Sequence, residues 1–159
     1  MIIRSYNEAD LDKVINLFYN TVHSINIRDY SQEQVNAWAP ETIDKIKWGE
    51  SLLSNYSLVV EVNSQVVGFG DLEDKGYLDR LYVHKDYQGI GVGTMICNYL
   101  EEEARSQGHK SIEAHGSITA KPFFTSRGYN IIKEQQVEVK GVYMTNFIMV
   151  KKLKKDESI

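Results

Sequence analysis

The stretch KDYQGIGVGT, residues 85–94, sets three glycines at alternate positions just after an apolar run and just before a helical pattern. Strand, glycine turn and helix in that order make an anion site. The first N–H groups of a helix have no intrahelical partner and lie at the positive end of its dipole. Glycine lets the backbone approach a phosphate and adopt left-handed conformations that aim successive N–H groups into one concavity. For a motif this short, an ordinary turn with chance glycine neighbours carries equal weight. A nucleoside triphosphate loop needs Lys and Ser/Thr after its last glycine, whereas Gly93 is followed by Thr94 and Met95. A dinucleotide turn needs G-x-G-x-x-G in a first βαβ unit and an acidic residue about 20 positions on. Here the spacing is G-x-G-x-G, in mid-chain, which speaks against a nucleotide oxidoreductase.

The flanking sequence supplies the elements that must hold this loop. Ile2 to Tyr6 reads as a short strand, and Asn7 with Glu8 and Asp10 as an N-cap followed by an acidic first turn. Leu11, Val14, Ile15, Phe18 and Val22 keep helical spacing, so one apolar face requires a sheet to cover it. Ser31 and Gln34 form a capping-box pattern ahead of Val35 and Trp38, with Pro40 closing that helix. Glu41 to Leu53 is a less regular helical stretch. SLVVEV, the Asn63-Ser64 turn, QVVGFGDLE, the Asp74-Lys75-Gly76 turn and YLDRLYVH make an antiparallel meander over 57–84. After the glycines, Val92, Met95, Ile96, Tyr99, Leu100 and Ala104 mark a buried helix face, which Gly108 can end with a left-handed cap. Residues 111–115 form a strand and Ala120 to Arg127 a short helix. A long strand pair follows Gly128, split near Lys140-Gly141.

At 159 residues the chain has the length of about one domain. It is read as a single domain over 1–153 with a short charged tail, 154–159. Hydrophobic residues at 42% and charged residues at 25% are those of an ordinary folded protein. No apolar run reaches membrane-spanning length and no secretory signal is visible, so a cytoplasmic location is the default expectation. Cys97 is the single cysteine, which excludes an internal disulfide and any Cys-based zinc site and leaves it a packing role; no metal is expected. A net charge of −4 argues against a nucleic-acid footprint. The basic run KKLKK, residues 151–155, reads as a solvated tail.

Gln88-Gly89-Ile90-Gly91-Val92-Gly93 resembles the Q/R-x-x-G-x-G/A motif of the GNAT superfamily of acetyl-CoA-dependent N-acetyltransferases. The order of elements over roughly residues 1–153 is similar to that family as well, and the AKPFF and GVYMTNF phrases are most similar to a bacterial small-molecule branch. The resemblance implies an α/β (α+β) fold, the GNAT acyl-CoA N-acyltransferase fold. That is a mixed, mostly antiparallel seven-stranded sheet flanked by about four helices, with a β-bulge and splay at the central strand. It implies that acetyl-CoA lays its pyrophosphate on the N–H groups of Gly89, Ile90, Gly91, Val92, Gly93 and Thr94, with Gln88 shaping the turn. The pantetheine arm would pair with the backbone of Leu81, Tyr82 and Val83. As a buried strand, those three need no functional account at all.

The implied chemistry is acyl transfer from a thioester to an amine. It requires a base for the amine, a donor for the carbonyl oxygen and an acid for the departing thiolate. Two family positions differ in this chain: Ser117 stands where an Asn often helps bind the cofactor, and Phe124 stands where a Tyr often protonates the thiolate. Phe123 and Phe124 would still border the cofactor. Tyr143 or Tyr82 could replace the missing acid, or the thiolate could leave unaided. Asp79, two residues before Leu81 on one strand face, is the first candidate base, against the reading of a surface carboxylate paired with Lys or Arg. His115 at a strand end is the second, because imidazole titrates near neutrality, although strand-end histidines commonly serve as structure. Glu73 is a third choice, and His23, Trp38 and Asn146 are candidates for the acceptor side. The expected acceptor is a small-molecule amine, with slight favour for cationic ones from the acidic chain, and a homodimer is possible. A non-catalytic acyl-CoA-binding or sensing module is the competing reading, which Phe124 makes respectable.

Overall fold

The computed structural model describes residues 1–154. Its frame is one seven-stranded sheet in the order β1-β2-β3-β4-β5-β7-β6. The strands are β1 (Ile2–Ser5), β2 (Tyr56–Val62), β3 (Gln65–Glu73), β4 (Tyr77–Val83), β5 (Ser111–Ser117), β6 (Asn130–Val139) and β7 (Val142–Lys152). Every neighbouring pair is antiparallel except β4 with β5. The expected meander is present, and its two-residue turn at Asn63 and Ser64 has positive φ at both positions, which suits the twist of a hairpin. The first strand ends one residue earlier than the sequence pattern suggests, although the Tyr6 N–H still donates to the Ser57 carbonyl at 2.9 Å.

The helices are α1 (Leu11–Ser24), α2 (Gln32–Trp38), α3 (Lys45–Ser54), α4 (Val92–Ser106) and α5 (Lys121–Ser126). None is long and apolar enough to cross a membrane. Asn7 and Asp10 form the expected reciprocal cap, but they close a single 3-10 turn, Glu8–Asp10, from which α1 continues. Ser31 and Gln34 cap α2 in the same reciprocal way, and Asp44 caps α3 through the Lys47 N–H.

The two faces of the sheet bury separate cores. Val14, Phe18 and Val22 of α1 and Val35 of α2 cover Val59 and Phe69. On the other face Val92, Ile96, Cys97, Leu100 and Ala104 of α4 cover Val60, Val67, Ile112 and Met149. Burying each large aliphatic side chain stabilises the fold by about 1.5–3 kcal/mol. The helix α4 sits close to β3 because position 68 has no side chain: a Cβ there would stand 2.5 Å from Val92 Cγ1. A branched residue at Gly68 would therefore push the helix off the sheet.

Lys151 corrects the sequence reading. It belongs to β7 rather than to a solvated tail, and its ammonium lies 2.7 Å from Oε1 of buried Glu101. Glu101 Oε2 also accepts from Arg127 Nε and Nη2 and from the Tyr129 hydroxyl. A periodicity argument cannot see a partner fifty residues away. Residues 155–159 of the charged tail, with Lys155 of the basic run, lie outside the described residues.

Candidate active site

The cleft is made where two strands part. β4 and β5 pair only at Tyr77 with Glu113 and Leu78 with Ala114, and beyond those residues they diverge. The divergence begins at a bulge. Opposite β3 the register passes from Asp71 with Arg80 to Leu72 with Leu78, so Asp79 is the extra residue. After it the faces of β4 exchange, placing Leu81 and Val83 against the α4 core and Tyr82 against the α1 and α2 core.

The backbone beyond the bulge divides its hydrogen bonds by alternation. The His84 N–H donates to the Val67 carbonyl at 2.8 Å. Counting back in twos, Tyr82 and Arg80 spend their main-chain groups on β3. Leu81 and Val83 face the gap toward β5. The Val83 carbonyl is already filled by the Gln88 side-chain amide at 2.7 Å and the Thr21 hydroxyl at 3.3 Å. Gln88 thus fixes the loop to the end of β4.

At that end the chain turns into α4. Gly91 is the N-cap residue, with φ of 94° and no capping side chain, and Gly89 also has positive φ. The left-handed bend costs a non-glycine residue about 1–2 kcal/mol. Val92, Gly93 and Thr94, whose N–H groups have no intrahelical partner, line the cleft. A Cβ added at Gly89 or Gly91 would meet no protein atom within 4 Å, so this side of the loop is open. Phe123 covers the third glycine, its Cζ 3.4 Å from where a Cβ on Gly93 would stand.

The cleft has a volume of about 570 Å³ and runs from this loop past the bulge to α1, α2 and the β6–β7 hairpin. Of the expected cofactor positions, Leu81, Tyr82, Val83, Gln88, Gly89, Gly91, Val92, Gly93, Thr94, Ser117, Phe123 and Phe124 line it. Ile90 instead points outward and is more than half exposed. The Ser117 hydroxyl accepts from the Ala120 N–H at 3.0 Å and so caps the turn into α5. Phe124 is a core residue, buried with Met149 in the α4 core and edge-on to Tyr129 at 5.0 Å. Thr119 Oγ1 is buried beside the cleft with no hydrogen-bond partner among the described residues.

The candidate catalytic side chains separate clearly. Asp79 lines the cleft with about a third of its side chain exposed, and Arg80 Nη2 lies 3.6 Å from its Oδ2. Burial raises its pKa, as does the charge of Asp71, while Arg80 opposes the shift. Arg80 is committed elsewhere: it donates to fully buried Asp71 at 2.6 Å and stacks over Trp48. His115 also lines the cleft, where its Nε2 meets Glu113 Oε2 at 2.9 Å and its ring packs edge-on against Tyr77 at 4.9 Å. Tyr143 does not join them. It is 61% exposed on β7 and absent from the cleft lining, because it shares a strand face with residues pointing away from Met144. Tyr82 does line the cleft. Its hydroxyl accepts from Trp38 Nε1 at 3.2 Å, and burial raises its pKa, so it stays protonated.

Trp38 and Asn146, expected on the acceptor side, line the cleft, whereas His23 holds the Ala39 carbonyl at 2.8 Å and Glu73 lies near Lys75; neither lines it. Tyr30, Tyr77, Thr21 and Asn26 are wall residues that the sequence pattern did not single out. Tyr77 had a weak signal, two positions before Asp79 on its strand. Tyr30 had none, since its hydroxyl bonds Thr145 O and Ile118 N more than eighty residues away.

A family model described as an acetyltransferase (GNAT) domain matches residues 26–152. The chain is 35% identical over 147 residues to the uncharacterized N-acetyltransferase YafP of Escherichia coli, covering 92% of this chain and 93% of that protein. Among solved structures it is similar to a GCN5-related N-acetyltransferase from Rhodopseudomonas palustris, with a TM-score of 0.92 and 32% identity, covering 96% of this chain and 95% of that one. It shares its fold with the PaiA N-acetyltransferase of Thermoplasma acidophilum, solved with coenzyme A, at a TM-score of 0.78 and 20% identity over 95% and 98% of the two chains.

Proposed function

Because the chain belongs to the GNAT family of acetyl-CoA-dependent N-acetyltransferases, we propose that it moves the acetyl group of acetyl-CoA to a primary amine of a small molecule, by direct attack with both substrates bound. The observation that carries this reading is the continuity of one cleft from the uncapped start of α4 to the bulged carboxylate of Asp79. The open side of Gly89 and Gly91 and the unpartnered Thr119 hydroxyl fit a phosphate-bearing ligand.

Bound acetyl-CoA supplies the thioester. The α4 N–H groups hold its diphosphate, and the main-chain groups of Leu81 with the N–H of Val83 are offered to its amide arm across the gap. Asp79 takes the proton of the attacking amine, and its raised pKa brings a carboxylate closer to that task. Tyr82 returns a proton to the departing sulfur. Its hydroxyl oxygen is occupied by the Trp38 N–H, which leaves its own hydrogen free to donate. Phe124 cannot act here, and Tyr143 stands too far outside the cleft.

Thiol release from acetyl-CoA in the presence of amines tests the reading. Asp79→Asn should lower kcat by about 10²- to 10⁴-fold, the usual worth of general base catalysis, and remove the acidic limb of the pH–rate profile. An unchanged profile would refute the role of Asp79. A domain that only binds acyl-CoA would be stabilised by acetyl-CoA yet release no thiol with any amine.

A further inference from the structure

From the charge inventory of the cleft we infer that the acceptor is a monoamine with an uncharged aromatic or apolar body, rather than a polycation or an amino acid. The inference rests on the acetyltransferase reading and narrows its substrate class.

Among the described residues, Asp79 is the only carboxylate in the cleft lining, and no lysine or arginine lines it. The nearby carboxylates lie outside the lining, Glu73 among them at 3.5 Å from Lys75. Asp71 is held by Arg80 and Asn55, and Glu113 reaches His115 from outside the lining. One ammonium can therefore be matched in the cleft. A second ammonium would be desolvated without a partner, and so would a substrate carboxylate.

The walls of the acceptor end are aromatic, with their polar tips already used inside the protein. Trp38 donates its N–H to Tyr82, and the Tyr30 hydroxyl joins Thr145 O at 2.6 Å to Ile118 N at 2.9 Å. Trp38 meets Tyr30 edge-on at 5.4 Å, which fixes both rings. Met144 and Val139 complete the same end. Beside Asn26 and Asn146, what faces a ligand at this end is ring and hydrocarbon, a surface that rewards a flat apolar body and matches no further charge. This narrows the slight preference for cationic acceptors drawn from the acidic chain to singly charged ones, because net charge acts at long range and the cleft itself carries one carboxylate.

The test compares 2-phenylethylamine with phenylalanine, which adds a carboxylate, and with spermidine, which adds ammonium groups, at saturating acetyl-CoA. The expected kcat/KM for 2-phenylethylamine exceeds both others by at least about tenfold. Val139→Glu, which adds a second carboxylate beside the β6–β7 turn, should raise the spermidine to phenylethylamine ratio by about tenfold. Trp38→Phe should raise KM for phenylethylamine while leaving the Kd of acetyl-CoA unchanged. Equal or better use of spermidine or phenylalanine overturns the inference and leaves the acetyltransferase reading standing. Tight acetyl-CoA binding with no transfer to phenylethylamine also overturns it. Absence of acetyl-CoA binding is the separate result that removes the underlying reading.

Discussion

Replacing Glu101 by glutamine removes one charge from a site that needs it. The carboxylate is 3% exposed and accepts from four donors, two on Arg127, one on Tyr129 and one on Lys151. A glutamine of the same size keeps one carbonyl oxygen, but its NH₂ then confronts either the ammonium or the guanidinium. Removing one partner of a buried pair costs about 3–5 kcal/mol. The two cations keep some contact with solvent, at 13% and 22% side-chain exposure, so the lower end applies, about 3 kcal/mol. For a domain of this length that is about 6–12 °C in melting temperature. Thermal and urea unfolding of Glu101→Gln against wild type measures it. Glu102→Gln, on an exposed i,i+3 pair with Arg105, is the control and should change stability by less than about 0.5 kcal/mol. If Glu101→Gln melts within about 2 °C of wild type, the account of Glu101 as the tie between α4, α5 and β7 is wrong.

Gly91→Ala places a side chain at φ of 94° with no protein atom near it, so its cost of about 1–2 kcal/mol is conformational. Either the bend persists and the protein melts a few degrees lower, or the bend relaxes and acetyl-CoA binding weakens about tenfold; calorimetry and a melt together detect both, and no change in either refutes the role of the bend. Hydrogen bonds from Arg4 hold the Asp10 carboxyl below the ordinary carboxylate range. Its stabilisation is therefore present above the unfolded-state pKa and lost as the pH falls through the folded one. Urea midpoints of wild type and Asp10→Asn should differ at pH 6 and converge in strong acid. Burial pushes the Cys97 thiol up to about 12, so an aromatic disulfide reagent at pH 8 should label it only after unfolding. Native labelling within minutes would contradict its burial.

What could be read in the sequence is what neighbours in the chain determine. The capping pairs Asn7–Asp10 and Ser31–Gln34, the hairpin at Asn63-Ser64 and the glycine start of α4 each depend on residues within four positions. The failures come from longer range. Lys151 looked like tail because its partner is on α4, and Tyr143 looked available because its strand face depends on the pairing of β7 with both β5 and β6. The Asp79 bulge exists only in the register against β3, so period-2 counting placed Asp79 beside Leu81 without seeing the extra residue. The aromatic wall was the least legible part, since Tyr30, Trp38 and Tyr82 meet only after the helices fold onto the sheet.

α2 and α3 each begin under a side chain of their own, Ser31 and Asp44, while α4 begins at Gly91 with none. Serine, threonine, aspartate or asparagine at that position would satisfy one of the orphan donors and steady the helix by about 0.5–2 kcal/mol. The chain forgoes that local gain, and the cap it lacks is one a diphosphate can supply. On the proposed reading, α4 then has two end states, a looser first turn when empty and a closed one when loaded. Amide exchange at residues 92–94 would then report occupancy without any change in the outline of the protein, since the Met95 N–H is already bound to the Gly91 carbonyl at 3.0 Å.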